Sequence, residues 1–343
     1  MAARASAQLL GADRADRVVD VVGTVVAVQA QDVRPARLAV RVRSNGLVAA
    51  DVDAACRDAV VVRTWLMRGT LHMVRAADVR WLLRVFGTRN ADKYAGRRRQ
   101  LGLDEQLCER ALASLARVLR DGPMERARII EALAEDGVVI DPKSQAPAHL
   151  LMLAASTGLV CRGPETDRDD PTYVLLDEWV PHTGDDPSQD LRRLATRYVT
   201  GYGPTGPADL ATWSGLPLGT ARRAFADAGI DESDPATGPA TNSVRLLGHF
   251  DNYLLGYRSR EPIVDPAHDK QVQTGGGFIM PTVLVDGRAV ATWRATQRGD
   301  IYLEPFGTLT DRVVRGVRGE VADIGRFLGK PVELVDQAQV RKR

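Results

Sequence analysis

Two glutamines one residue apart, Gln29 and Gln31, interrupt the apolar run Val25-Val26-Ala27-Val28-Gln29-Ala30-Gln31, which ends on Asp32. A primary amide brings two donors and two acceptor lone pairs, and leaving such a group unmatched in a protein interior costs about 1–3 kcal/mol. The pair therefore points to a lined polar site. A glutamine has no useful proton to give or take. Its chemistry is to hold a water molecule and to aim a carbonyl dipole at developing positive charge. On an extended backbone Gln29 and Gln31 project to one side. On a helix they diverge by about 200°, so a helix would have to break before them. Asp32 then points away from the pair and reads as a supporting group. The competing reading is two surface glutamines at a helix end.

The rest of the chain offers no rival constellation. The histidines (His72, His149, His182, His249, His268) are scattered without metal-ligand spacing, so neither metal nor cofactor is expected. Cys56, Cys108 and Cys161 are far apart, odd in number and free of any CxxC pair, as in a reducing compartment. Asp13, Asp16 and Asp20 interrupt any apolar leader, and nothing approaches the ~18 apolar residues of a membrane span. A soluble, cytoplasmic protein is expected.

The net charge of +2 names no partner, but its distribution is uneven. Residues 1–100 hold 18 basic and 9 acidic side chains, residues 101–187 hold 8 and 17, and the remainder 20 and 18. A basic front beside an acidic middle fits a protein with one face turned to a polyanion. Against this, 41 of the 46 basic residues are arginine, as a GC-rich coding sequence produces, so clustering says more than abundance.

Elements that could position the glutamines follow from pattern. Val18, Val19, Val22, Val25 and Val26 recur at helical spacing within residues 13–30, so a helix delivers the chain to Gln29. After Pro35, Leu38, Val40 and Val42 alternate with Arg37, Arg41 and Arg43, and Asp51–Ala59 reads as a short helix capped by Asp51 or Asp53. Residues 60–74 form two β-rich arms around Arg68-Gly69, a hairpin. Helices followed by a hairpin make a winged helix, whose wing would carry Arg63, Trp65, Arg68, Thr70 and His72, a set suited to phosphates and sugars. Trp65 is equally explained by core packing, and a buried structural role is the first reading of His72. Asp78–Phe86 is amphipathic, and Arg84, Arg89, Lys93, Arg97, Arg98 and Arg99 follow as a basic stripe, either a nucleic-acid track or a solvated helix face.

The unit recurs. Helices are predicted over Glu105–Leu119, Glu125–Glu135 and Ser144–Ser156, then strands around Leu159–Cys161 and Tyr173–Leu176. This second wing is acidic (Glu165, Asp167, Asp169, Asp170) and suits scaffolding better than DNA. Asp185-Asp186-Pro187 marks a junction. A third helix trio covers Asp190–Thr200, Pro207–Ser214 and Leu218–Ala228, followed by the strand Val244–Leu247. Strands over Ile279–Val285, Ala289–Arg294 and Ile301–Pro305, with turns at Asp286-Gly287 and Arg298–Asp300, precede a closing helix Val313–Leu328 and a loose tail, Arg341–Arg343.

Gln29-Ala30-Gln31, Arg63–His72, Gly203-Pro204 with Ala211–Gly215, Phe250–Arg258, and Val285–Arg288 with Thr292-Trp293-Arg294 occur in an order that closely resembles the bacterial winged-helix DNA glycosylases of the AlkZ type, over nearly the whole chain. Each motif is weak alone; five in order are specific. The resemblance implies an α+β protein of three tandem winged-helix (helix-turn-helix) units plus a C-terminal β-rich domain, C-shaped around a DNA channel. The divisions would fall at 1–100, 101–186, 187–260 and 261–343. It further implies a monofunctional glycosylase removing alkylated purines, including those that bridge two strands, in DNA repair or in self-resistance to a genotoxic metabolite. Its partner would be double-stranded DNA carrying alkylated purines, and the protein would act as a monomer. The paired glutamines are the catalytic signature of the family, which carries over onto Gln29 and Gln31; a sister branch has Gln-x-Asp, and here Asp32 follows the Gln-x-Gln form.

In a C-shaped enzyme the Phe250–Arg260 junction would face the first domain. Asp251 is then expected near the glutamines, as a catalytic or orienting carboxylate, with Arg258 or Arg260 on a flanking phosphate. Alternatively Asp251 is a turn former bonded to nearby backbone N–H groups. The non-enzymatic rival for the whole chain is a winged-helix transcription regulator.

Overall fold

The break that the glutamine pair requires lies at Val26. The helix Val18–Thr24 buries Val18, Val21 and Val22 against the interior and ends short of the predicted position. Val26 then takes φ +64°, a left-handed conformation costing a β-branched residue about 1–3 kcal/mol. Ala27 N donates to Val25 O across it at 2.7 Å, the i→i+2 bond of a tight γ-turn. The chain leaves this elbow extended through the strand Val28–Gln29.

The computed structural model describes residues 1–182, 184, 186–231 and 243–336. Asp185 of the expected junction and the tail Arg341–Arg343 lie outside the described residues. The chain divides into two compact units, one formed by Met1–Val52 with Arg192–Arg343 and the other by Asp53–Leu191.

In the discontinuous unit, four antiparallel strands lie in the order Ile301–Pro305, Arg288–Ala295, Thr282–Val285, Val244–Leu247. The strand that follows the third helix trio thus joins the C-terminal sheet directly, through Val244↔Val285 and Leu247↔Thr282. The predicted strand over 279–285 is two pieces, because Pro281 has no N–H for a ladder: Phe278–Ile279 pairs with Gln273–Gly275 in a separate hairpin. Asp286 and Gly287 both take positive φ, as a two-residue hairpin turn of the primed type demands. The helix Asp311–Leu328 lays Val313, Val317, Val321 and Ile324 on this sheet, against Leu246, Val283, Ala291 and Trp293. Gly316 permits the close approach, since a Cβ there would lie 2.5 Å from a Val244 methyl.

The third trio is found at Asp190–Tyr202, Pro207–Ser214 and Leu218–Asp227, close to its predicted bounds. The alternation after Pro35 proves helical (Val33–Arg41): Pro35 falls in the first turn, where its missing N–H has no helical partner to lose. Asp51 does not cap as N-terminal residue. The helix Ala49–Arg57 starts earlier, and Asp51 reaches back to accept from Val48 N at 2.7 Å. An N-terminal helix, Ala2–Ala7, carried no recognisable sequence signal.

In the other unit, five strands run side by side in the order Leu71–Arg75, Val61–Trp65, Val160–Glu165, Pro171–Leu175, Met124–Glu125. The helices Glu105–Val118, Arg126–Glu135 and Ala146–Ser156 enclose a core that includes Leu115, Ile129, Leu133, Leu150 and Leu151. Ala146–Ser156 is buried almost all round, which is why its sequence is continuously apolar rather than periodic.

Candidate functional site

Gln29 Nε2 donates to Gln31 Oε1 at 3.0 Å. The two amides therefore meet on one side of an extended segment; Gln29 is half-buried and Gln31 exposed. Beyond that bond Gln31 still carries two N–H donors and a second lone pair. Asp32 does not join them: it is the N-cap of Val33–Arg41, and its carboxylate accepts from Arg34 N at 2.9 Å.

The elbow before the glutamines is held by side chains from 225 and 177 residues away. Asn252 Nδ2 donates to Ala27 O and, at 2.8 Å, to the Tyr202 hydroxyl. Tyr202 in turn donates to Val25 O at 3.0 Å.

Asp251, one residue from Asn252, is buried and faces inward. Its two oxygens accept from Arg43 Nη1 at 2.8 Å and Arg43 Nη2 at 2.7 Å, and one also accepts from Tyr253 N at 2.9 Å as an N-cap. The turn-forming alternative thus describes its backbone bond, and a buried bidentate ion pair is added to it. Burial works against the charge on Arg43, and Asp251 more than offsets it, so the guanidinium is raised above its ordinary value. Arg43 also binds Gln8 Oε1 and Ala39 O. Two residues earlier, Arg41 is equally buried, on Glu320, Asp323 and Leu246 O. Arg41, at the end of its helix, and Arg43, just beyond it, could have been flagged from sequence as charges alternating with apolar residues that need partners. The partners themselves, some 200 residues on, carried no signal.

The expected nucleic-acid contacts fall into different environments. Arg63 is buried and ion-paired with Glu165. Trp65 stacks on Tyr173 at 6.5 Å, with the Arg162 guanidinium over both rings at 5.2 and 4.4 Å, so it serves the edge of the core. Arg68 and Thr70 lie half-buried at the hairpin turn. Thr70 donates to Met67 O, while the Arg68 carbonyl accepts from Lys93. The arginine triplet sits on the short helix Ala95–Gln100, where successive residues turn by ~100°. Arg97 binds Gln100 and Gln145, Arg98 lies half-buried, and Arg99 is exposed. Arg258 is exposed, and Arg260 binds Asp269 and Gln273. Both border a cleft of about 550 Å³ that also contains Glu261 and Asp269, so its lining is of mixed charge.

The blockwise charge asymmetry has a structural outlet within residues 53–191. Arg63–Glu165 and Arg80–Asp177 join the basic stretch to the acidic one, and Arg84 pairs with Asp190 just beyond it. Part of the basic excess is thereby spent on acidic side chains rather than displayed to a polyanion.

His72 is a structural group. It is buried, and burial first, then the Arg68 charge, lowers its pKa to about 3, although the bond to Thr70 O pulls the other way. Thr70 O can only accept, so Nδ1 bears the proton. The unfolded chain takes up a proton below about pH 6.5 while the folded protein does not, so this group costs stability as pH falls from 6.5 toward 3. Wild-type protein is expected to lose about 1.4 kcal/mol more than His72→Gln between about pH 7.5 and 5.5, measured by urea unfolding at both pH values.

Among the described residues no cluster of His, Cys, Asp or Glu is placed to hold a metal, and no helix is long and apolar enough to cross a membrane. The three cysteines are buried, free thiols. What the glutamine pair can do is hold and orient a water. Likeness to known proteins puts this mixed α/β chain among the DNA glycosylases, enzymes acting on N-glycosyl bonds. The family model for AlkZ-like DNA glycosylases matches residues 22–327, and the chain is a member of that family. It is 26% identical over 346 residues to the interstrand DNA cross-link repair glycosylase of Streptomyces sahachiroi, covering 92% of this chain and 93% of that protein. The solved structure of Streptomyces sahachiroi DNA glycosylase AlkZ superposes with a TM-score of 0.81 at 25% identity, covering 97% of this chain and 98% of that one.

Proposed function

We propose that this glycosylase releases cationic N7- or N3-alkylated purines from double-stranded DNA, including those that tie the two strands together, with Gln29 and Gln31 as its catalytic residues. The observation that carries the reading is the 3.0 Å contact between the two amides on a surface-facing extended segment.

Cleavage of an N-glycosidic bond passes through an oxocarbenium-like sugar, for which glycosidases ordinarily supply two carboxylates. Here the amides hold the attacking water and aim a carbonyl dipole at the cationic carbon. No acid is needed when the base already carries a positive charge, because it departs neutral. The missing carboxylate thereby restricts the substrate: labile cationic adducts are cut and neutral bases are spared.

Base flipping costs a few kcal/mol of unstacking, and a base bonded to the opposite strand cannot swing fully out. The half-buried and exposed settings of Gln29 and Gln31 suit a site that reaches the deoxyribose within an opened duplex better than one at the floor of a deep pocket. The helix runs that end in hairpins at 61–75 and 160–175 support reading them as winged helices; the third trio feeds the C-terminal sheet instead. Hairpin residues would enter the minor groove.

In this reading the DNA contacts come from the accessible cations, Arg99 and Arg258 first, with Arg68, Arg97, Arg98 and Arg260 beside them. Arg99→Ala and Arg258→Ala are each expected to lower the slope of log affinity against log salt by about 0.9. Arg63→Ala should instead lower the melting temperature, because it strands Glu165. Neutralising Asp167 and Asp170 should leave the slope nearly unchanged; anisotropy titrations across salt concentrations read the slopes, and a thermal melt reads Arg63→Ala.

The function itself is tested on a duplex bearing N7-methylguanine and on one crosslinked through two guanine N7 atoms. Free N7-methylguanine by chromatography and separated strands on a denaturing gel are expected. An intact N7-methylguanine duplex would reject the substrate class, and an intact crosslink beside released N7-methylguanine would confine it to monoadducts.

A further inference from the structure

Val26 is a buried β-branched residue at φ +64°, and the two carbonyls flanking it are the ones that reach distant side chains. Val25 O accepts from the Tyr202 hydroxyl, and Ala27 O from Asn252 Nδ2. Asn252 spends both amide hydrogens here, the second on Tyr202 itself, so the three groups form a closed brace around the elbow. Without it, a left-handed valine has every reason to relax to an ordinary conformation, and the chain beyond would leave the helix in another direction. A change of direction at residue 26 is felt at once at residue 29, and the period-2 projection that brings Gln29 onto Gln31 would be lost.

Two further features make the brace fit. Gly201 lies so close to the same segment that a Cβ would stand 2.0 Å from Thr24 O, and a Cβ on Gly256 would stand 2.6 Å from the Tyr202 ring. Both glycines are therefore places where the third trio and the Asn252–Leu255 turn are cut back to let Tyr202 and Asn252 reach the elbow. Burial pushes the Tyr202 hydroxyl up to about 12, so it stays a donor throughout the neutral range.

We propose that Asn252 and Tyr202 are positioning residues of this glycosylase: they fix the strained Val25–Ala27 elbow so that Gln29 and Gln31 converge. This rests on the reading of the glutamine pair as catalytic. Neither residue is asked to touch the DNA, so the loss should appear in the chemical step alone.

The test compares Asn252→Ala and Tyr202→Phe with wild type in single-turnover excision of N7-methylguanine, in DNA affinity, in melting temperature, and in the side-chain amide resonances of Gln29 and Gln31 in glutamine-labelled protein. The resonances are assigned by their absence in Gln29→Ala and Gln31→Ala. Excision is expected to slow by about 10- to 100-fold with affinity unchanged, while the two amide signals move toward the positions of solvated glutamines. Wild-type excision in both variants overturns the proposal. So does slowed excision with unmoved resonances, since the loss then arises elsewhere. If Asn252→Ala does not fold, Tyr202→Phe, which removes a single hydroxyl, decides on the same readings. Should Gln29→Ala and Gln31→Ala themselves excise at the wild-type rate, the catalytic reading of the pair fails, and shifted resonances in Tyr202→Phe would still establish the brace.

Discussion

Gln29→Ala and Gln31→Ala are each expected to lose about 10²–10³-fold in excision rate, the scale of removing one preorganised polar group from a site of developing charge. Neither side chain supports the core: Gln31 is exposed and Gln29 half-buried. Melting temperature and DNA affinity should therefore hold. Each variant also removes one end of the 3.0 Å contact, so the double variant should be little worse than either single one. Gln31→Glu separates positioning from charge. A carboxylate can accept from Gln29 Nε2 and hold a water as the amide does, so activity should persist. If either alanine variant excises N7-methylguanine at the wild-type rate, that glutamine does not hold the water.

The largest stability effect is expected at the buried pair Arg43–Asp251. Both side chains are fully enclosed and joined by two charge-assisted bonds at 2.7 and 2.8 Å. Removing one partner leaves an uncompensated charge inside, which costs about 3–5 kcal/mol, or roughly 10 °C in melting temperature for a unit of this size. Arg43→Met and Asp251→Asn should both show it, with excision falling only as far as the folded fraction falls. Replacing both at once with apolar side chains should recover much of the loss, because the desolvation cost of two ions disappears with their attraction. Thermal melts of the two single variants and the double variant check this. Asp251→Asn with an unchanged melting temperature and abolished excision would instead return Asp251 to the catalytic machinery.

How much of this could be read from the chain varies with the range of the interaction. The convergence of Gln29 and Gln31 was legible, because two residues of the same type at period 2 can meet only on an extended backbone. The need for a break before them was legible for the same reason. Its location was not: nothing local marks a valine for positive φ, and the elbow at Val26 exists because Asn252 and Tyr202 hold it. Helix ends in the third trio were well placed by strong punctuation. Pro207 opens one helix, Gly215 closes it at φ +76°, and Pro217 precedes the next. The alternation of Leu38, Val40 and Val42 with arginines hid a helix, since Arg41 and Arg43 are interior residues whose acidic partners lie near 250 and 320.

Charge was the feature that sequence position represented least well. Summed by segment, residues 1–100 look like a surface for a polyanion. Summed by contact, Arg63, Arg80 and Arg84 are neutralised by Glu165, Asp177 and Asp190 within one unit. Arg99 and Arg258 are among the exposed cations from which DNA affinity should be sought.

The central claim is that a pair of amides is sufficient because the leaving base is already cationic. It is tested most directly by single-turnover excision from two duplexes of identical sequence, one with N7-methylguanine and one with the neutral purine hypoxanthine at the same position. The account predicts ready release of N7-methylguanine and no release of hypoxanthine above the uncatalysed background. Comparable release of the two bases would show that the site supplies an acid to the leaving group, and would contradict it.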